Sequence, residues 1–281
     1  MKKVFFIVMV TVLFSSLFAQ EKWDFTFDVK GTVSQSYYSD NWEGDEESNV
    51  NWLIQGNMSA NKQLYDWFRS KNNLKLKFGQ IYDHNIAEGE ESPEWQSPRK
   101  SDDEIDFLSL GLFTLDGWVD PYASLRAQTV FEGNNKRVFD PARLTQGLGA
   151  SKIFFEKSNL GLNTRLGLSV REMYLYGNPT TIDGGLESVT ELMWICLDDK
   201  TKFTSNLFLF QAFFNSEDDQ YVGTHEDDWK QLDIEWTNEI SLQLYTHLSF
   251  NVYTQLLYDK EIDYTGRFKQ TSGLSVTYKI F

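Results

Sequence analysis

The chain has 281 residues, with 41 acidic against 26 basic side chains and a formal net charge of -15. Phosphate binding needs a basic surface, so this balance argues against nucleic acid as a partner. The lone cysteine, Cys196, excludes an intrachain disulfide and any cysteine-built metal site.

The first element is a secretory signal. Met1-Lys2-Lys3 is a basic start, Val4 to Leu13 is a short apolar stretch, and Phe14-Ser15-Ser16-Leu17-Phe18-Ala19-Gln20 leads to a cut after Ala19 or one residue later. The apolar stretch is short for a membrane-spanning helix, and no later run supplies one. Losing residues 1–19 removes Lys2 and Lys3 and no acid, which takes the net charge from -15 to -17.

Twelve strand-like runs follow, near 23–36, 50–63, 69–82, 102–114, 118–131, 147–156, 159–171, 186–197, 201–214, 229–241, 245–258 and 269–281. The gaps alternate. Long ones lie at 37–49, 83–101, 132–146, 172–185, 215–228 and 259–268, and short ones around 64–68, 115–117, 157–158, 198–200 and 242–244. The acids crowd the long gaps: Asp40, Glu43, Asp45, Glu46 and Glu47; then Glu88, Glu90, Glu91 and Glu94; then Glu217, Asp218, Asp219, Glu226, Asp227 and Asp228. One rim of tight turns and one of surface loops is the pattern of a bacterial outer-membrane barrel, and an even strand count puts both ends of the chain on the short-turn rim.

Alternation within the strands agrees. Leu160, Leu162, Leu166, Leu168 and Val170 share a face opposite Asn163, Arg165, Ser169 and Arg171. Leu232, Ile234, Trp236, Ile240 and Leu242 oppose Asp233, Glu235, Thr237, Glu239 and Ser241, and the runs 246–258 and 73–78 behave alike. The runs are long enough for tilted spanning strands, which need about 9–11 residues. Two runs resist: 203–213 and 152–156 are apolar on both faces, which places some of those side chains inside the barrel or shifts the register. Trp23, Trp52, Trp118, Trp229, Tyr245 and Tyr258 stand at strand ends, where aromatic girdles meet lipid headgroups. The expected fold is therefore all-β, a transmembrane antiparallel barrel of about 12 strands over residues 20–281, with short periplasmic turns and longer acidic extracellular loops.

Several stretches carry a resemblance: Asn51-Trp52 with Gly56, Ser59 and Asn61; Arg99-Lys100-Ser101-Asp102-Asp103-Glu104-Ile105; Gln255-Leu256-Leu257-Tyr258-Asp259; and Ser272-Gly273-Leu274-Ser275-Val276-Thr277-Tyr278-Lys279. Together they resemble an uncharacterised outer-membrane family of unknown function, DUF3078. The resemblance implies a single barrel in the outer membrane of a diderm bacterium and no defined activity. The closing strand ending on Phe281 resembles the signal read by the barrel assembly machinery, although Leu274, Val276, Tyr278 and Ile280 form the apolar row and Phe281 falls on the other parity.

Function is sought in the lumen. The strands from 69 to 171 offer Lys75, Lys77, Arg126, Arg165 and Arg171. Those from 186 round to the first offer Glu187 or Glu191, Asp233, Glu235, Glu239, Asp24 and Asp28. A basic arc facing an acidic one would set a transverse field across a narrow passage for small polar solutes. The same charges could instead pair and fill the lumen, since twelve strands lie between the filled small barrels and the open porins. Asp102, Asp103, Glu104 and Asp106 run against the basic arc.

A hydrolase reading centres on His247 and Ser249, two residues apart on one strand face. The run resembles the catalytic strand of outer-membrane phospholipase A, but Phe250 stands where that family has asparagine, and no group is evident to orient the histidine. The chain is expected not to be an enzyme, and to need no cofactor or metal. His84 and His225 fall in surface loops. The acidic loops read as solvated surface, with lipopolysaccharide-bound divalent cations as the alternative contact.

Overall fold

The computed structural model describes residues 23–36, 48–85, 94–115, 117–133, 136–197, 199–216, 228–260 and 265–280. Twelve long strands form the body: β1 (Asp24–Ser36), β2 (Ser48–Tyr65), β3 (Phe68–Asn85), β5 (Arg99–Phe113), β6 (Asp120–Thr129), β7 (Ala142–Glu156), β8 (Leu160–Tyr174), β9 (Thr181–Cys196), β10 (Thr201–Asn215), β11 (Leu232–Gln243), β12 (Leu248–Tyr258) and β13 (Arg267–Lys279). A two-residue piece, β4 (Glu94–Trp95), adds to the far end of β3 beside His84 and Asn85. A short 3-10 turn, Asp228–Lys230, precedes β11.

Each long strand pairs antiparallel with its neighbour in sequence, and β1 pairs with β13, which closes the sheet on itself. The closing seam joins Asp28↔Lys279 through Val33↔Leu274, six partner pairs, whereas β1 and β2 share thirteen. Inside the seam the hydroxyls of Thr32 and Ser275 hydrogen-bond at 2.6 Å. Over these six pairs, closure satisfies peptide groups that an open edge would leave bare to lipid.

The two faces of the ring differ as the alternation requires. Leu148 is 67% exposed and Leu168 59%, and Val33, Ile54, Val276 and Tyr278 are exposed beside them on the outer face. Water-soluble proteins rarely leave such a band uncovered. A closed antiparallel ring with a continuous apolar belt is built to sit in lipid, and this is an outer-membrane barrel. The belt carries aromatic clusters at the short-turn rim, where Trp67 stacks against Tyr65 (ring centroids 5.5 Å apart) and Phe113 (6.0 Å). Trp118 and Tyr245 are exposed there too. Trp229 departs from the girdle expectation: it is buried against Phe210 and Ala212.

Register shifts explain one of the resistant runs. Between Ile153 and Phe155 an extra residue enters β7, so Phe154 and Phe155 are both exposed in succession. A second shift in β10 does the same for Phe213 and Phe214. In 203–213 the even positions Phe208, Phe210 and Ala212 turn inward, as one of the two expectations held.

The loop rhythm is less regular than expected. The link between β8 and β9 is only 175–180, as long as the 114–119 link between β5 and β6, because β8 runs on to Tyr174 and β9 begins at Thr181. β7 likewise starts at Ala142, five residues before the expected start. The expected signal segment 1–19, Phe281, His225 and most of the acidic loop residues lie outside the described residues. His84 lies in β3, its ring tilted against Trp95 at 5.1 Å, and is not a loop residue.

Candidate functional site: the ring interior

Residues on the inner parity of each strand face one another across the ring, and contacts between strands far apart in the sheet establish this. Arg171 of β8 donates through Nη1 to Asp233 of β11 at 2.9 Å, with β9 and β10 between them. Lys269 of β13 pairs with Asp102 of β5 at 2.6 Å, Lys30 of β1 pairs with Glu239 of β11, and Lys77 of β3 lies 5.4 Å from the ring centroid of Tyr253 on β12.

The remaining sequence-derived residues sit on the same inner parity. Lys77 also pairs with Glu104 at 2.7 Å, its direct partner in the β3–β5 register, and Lys75 stands opposite Asp106. Arg126 grips Asp106 with two bonds, Nε at 2.9 Å and Nη2 at 2.7 Å. Arg171 grips Asp183 with Nε at 2.7 Å and Nη2 at 2.8 Å, and its guanidinium lies 3.5 Å from the ring centroid of Phe210. Arg165 comes within 3.9 Å of Glu191, while Glu187, two turns of alternation along, is buried. Asp28 accepts from Asn57 at 2.9 Å and Glu235 from Gln255 at 3.2 Å. Asp24 begins β1 at the short-turn rim.

Charge in the interior does not separate into a basic and an acidic arc. Asp102, Glu104 and Asp106 on β5 sit among the cations of β3 and β6, and Lys30 and Lys269 sit among the acids of β11 and the seam. Each of these charges has an opposite one at hand, which cancels a transverse field over a distance of a few ångströms. Lys30, Lys269 and Asp183 were not among the expected lumen residues, although Lys30 shares parity with Asp28 on β1 and Asp183 with Glu187 on β9; β13, which carries Lys269, had contributed none.

The interior is also less polar than expected. Leu108, Leu110 and Leu112 of β5 turn inward, and Leu110 and Leu112 pack against Tyr122 of β6. Tyr122 lies against the wall of β7 and β8 where glycines make room: a Cβ on Gly167 would stand 2.6 Å from the Tyr122 hydroxyl. A second apolar group, Phe208, Phe210, Ala212 and Trp229, occupies the long-loop half of β10. Phe210 is wholly buried, so the interior is occupied here and is not a free bore.

Small, water-sized recesses lie between these side chains. One is lined by residues of β3, β5, β7, β8 and β9. Another is lined by Lys30, Gln55, Lys77, Asp102, Glu239, Tyr253 and Lys269 among others. Among the described residues no cluster of histidine, cysteine and carboxylate side chains is arranged to hold a metal ion. At the short-turn rim, His247 Nδ1 lies 3.2 Å from the carbonyl oxygen of Thr277, and Ser249 Oγ accepts from Asn251 at 2.9 Å.

With this geometry in view, one sequence family stands out. Residues 33–134 match the model of a family described as Protein of unknown function (DUF3078). That match covers β2, β3, β5 and β6, the arc that carries Lys75, Lys77, Asp106 and Arg126. No curated protein matches the chain. Among solved structures, the chain is similar to an outer membrane channel from Pseudomonas putida F1, at 10% identity over 92% of this chain and 96% of that one, with a TM-score of 0.46. It is also similar to the translocator domain of the autotransporter NalP from Neisseria meningitidis, at 10% identity over 99% and 95% of the two chains, with a TM-score of 0.37.

Proposed function

We propose that this barrel is a narrow passage for a small polar solute, constricted at rest by ion pairs that span its interior. The observation that carries the reading is the Arg171–Asp233 bond across two intervening strands, together with the Lys269–Asp102 and Lys30–Glu239 pairs. Such pairs subdivide a twelve-strand lumen that would otherwise be wider than a filled eight-strand barrel. They are polar and exchangeable, so an entering solute can replace one partner, which an apolar plug would not allow. Outer-membrane lipid, lipopolysaccharide and the barrel assembly machinery are the partners this reading requires. It assigns no hydrolysis to His247 and Ser249, whose side chains are engaged with Thr277 and Asn251.

The competing reading is a closed structural barrel, favoured by the complete burial of Phe210 and its packing with Trp229. Single-channel recording of the mature chain in planar bilayers separates the two. The passage reading expects small discrete currents that grow severalfold in the Asp233→Ala, Lys269→Gln double variant. Silence in both proteins would establish the closed barrel.

A further inference from the structure

We infer that the lipid-facing wall of β10 to β13 is a contact surface for a second copy of this chain, joined to it around a two-fold axis along the membrane normal. The inference concerns the outer face and stands whether or not the lumen conducts.

Outward side chains of a membrane barrel form an apolar band. One row breaks it. The register sets Ser205 of β10 opposite Asn238 of β11, Asn238 opposite Thr254 of β12, and Thr254 opposite Gln270 of β13. Parity puts all four on the outer face, since Phe208, Asp233, Tyr253 and Lys269 turn inward on the same strands. On β11 the row is flanked by Trp236 and Ile240, and on β12 by Val252 and Leu256. β11 has 12 residues and β12 has 11, close to the length of about 9–11 that a tilted span requires. Asn238 and Thr254 stand near the strand centres, so both lie at the depth of the hydrocarbon, where water offers no hydrogen bond.

Polar groups elsewhere on the outer face find partners within the chain. Ser109 donates to Asn72 at 2.8 Å, and Asn72 donates to Ser70 at 3.0 Å. The Thr164 and Thr190 hydroxyls meet at 3.1 Å. Within the row, Ser205 accepts from Trp236 Nε1 at 3.0 Å. The side chains of Asn238, Thr254 and Gln270 make no hydrogen bond among the described residues. An amide left bare in hydrocarbon is destabilising, so this row calls for a partner.

Its chemistry says which. The row carries no charge, so it does not single out a phosphate or an ionic surface. Lipid tails neither donate nor accept. Amides and hydroxyls do both, which makes the row complementary to itself. A second copy turned by a two-fold axis presents this same patch. Rungs are inclined by the strand tilt of about 35–45°, so the two rows cross and meet at their middle, at Asn238 and Thr254. Polar contacts of this kind hold membrane-embedded segments together where burial of apolar surface gives no drive.

The test uses the full mature chain carrying Cys196→Ser, refolded in phosphatidylcholine vesicles. Added Asn238→Cys should give a disulfide-linked dimer on oxidation with copper phenanthroline. Leu125→Cys, an exposed position on β6 across the ring, should give little. Affinity is read separately, by energy transfer between copies labelled through Asp199→Cys as added lipid dilutes the protein. Asn238→Leu should raise the dissociation constant about tenfold, because it removes a polar contact from each copy, whereas Asn238→Gln, which keeps the amide, should retain most of the association. Equal cross-linking at 238 and 125, energy transfer no greater than random mixing gives, or an unchanged dissociation constant in an Asn238→Leu protein whose gel mobility shows a folded barrel would overturn the inference.

Discussion

Replacing Asp233 with alanine removes the bond that crosses the ring. Arg171 keeps its two bonds to Asp183 in this variant, so the guanidinium is not left alone when the contact at 2.9 Å is lost. Both partners are largely shielded, with the Arg171 side chain 10% and the Asp233 side chain 16% exposed, so screening by water removes little of the effect. A charge-assisted hydrogen bond of this kind contributes about 1.5–3 kcal/mol, which sets the expected loss near 2 kcal/mol. Arg171→Gln removes all three bonds, leaves two carboxylates facing each other and takes the cation off Phe210. Its cost should be about 4 kcal/mol, in the range of a broken buried ion pair. Reversible urea unfolding in lipid vesicles, followed by tryptophan fluorescence, measures both. An Asp233→Ala protein within about 0.5 kcal/mol of wild type would show that the ring is not tied across its interior, and the account of a constricted lumen would fall with it.

Three other outcomes test the architecture. Leu148→Arg places a charge at an outer-face position near the middle of β7, and should cost about 2–4 kcal/mol in the same unfolding assay if the belt meets lipid. Gly149→Ala drives a Cβ into the Leu166 carbonyl and to 2.5 Å from the Gly167 backbone, so it should cost about 2 kcal/mol and lower the temperature at which the folded band is lost on a gel. In a Cys196→Ser background, a cysteine at Tyr176 should react with a membrane-impermeant maleimide on intact cells, while one at Asp199 should react only after the outer membrane is opened. The opposite labelling pattern would invert the barrel.

Most of the architecture could be read from side-chain parity. The period of two that sorted Leu166 from Arg165 and Ile234 from Asp233 is a property of the strand itself, so it survives whatever the strand packs against. The readings that went astray depended on partners that sequence does not display. Gly184-Gly185 looks like a turn, yet it lies within β9, because the Phe214 ring covers Gly184 and the Gln211 carbonyl crowds Gly185. Trp229 stands at a strand end, where a girdle residue belongs, but the 3-10 turn ahead of β11 swings it onto Phe210. The charge pairs were half legible. Parity gave the inner residues, but pairing across the ring depends on strand tilt and stagger, which set the height at which each side chain emerges. The leucines of β5 were visible as alternation of the opposite kind, acids and leucines on one face, and only the fold shows that both turn inward.

The seam between β1 and β13 has a consequence for biogenesis. Every other pairing joins strands that follow each other in the chain, so a growing sheet can zip from one hairpin to the next. The final union must bring together segments more than two hundred residues apart, and it is held by fewer than half as many rungs as the hairpin that β1 makes with β2. Until β13 arrives, two raw borders face the hydrocarbon. Ring closure therefore spans the longest loop of any pairing in the wall and carries the largest entropy cost, and this join, short in rungs, is the place where the finished wall would part if it were ever to release a molecule sideways into the bilayer.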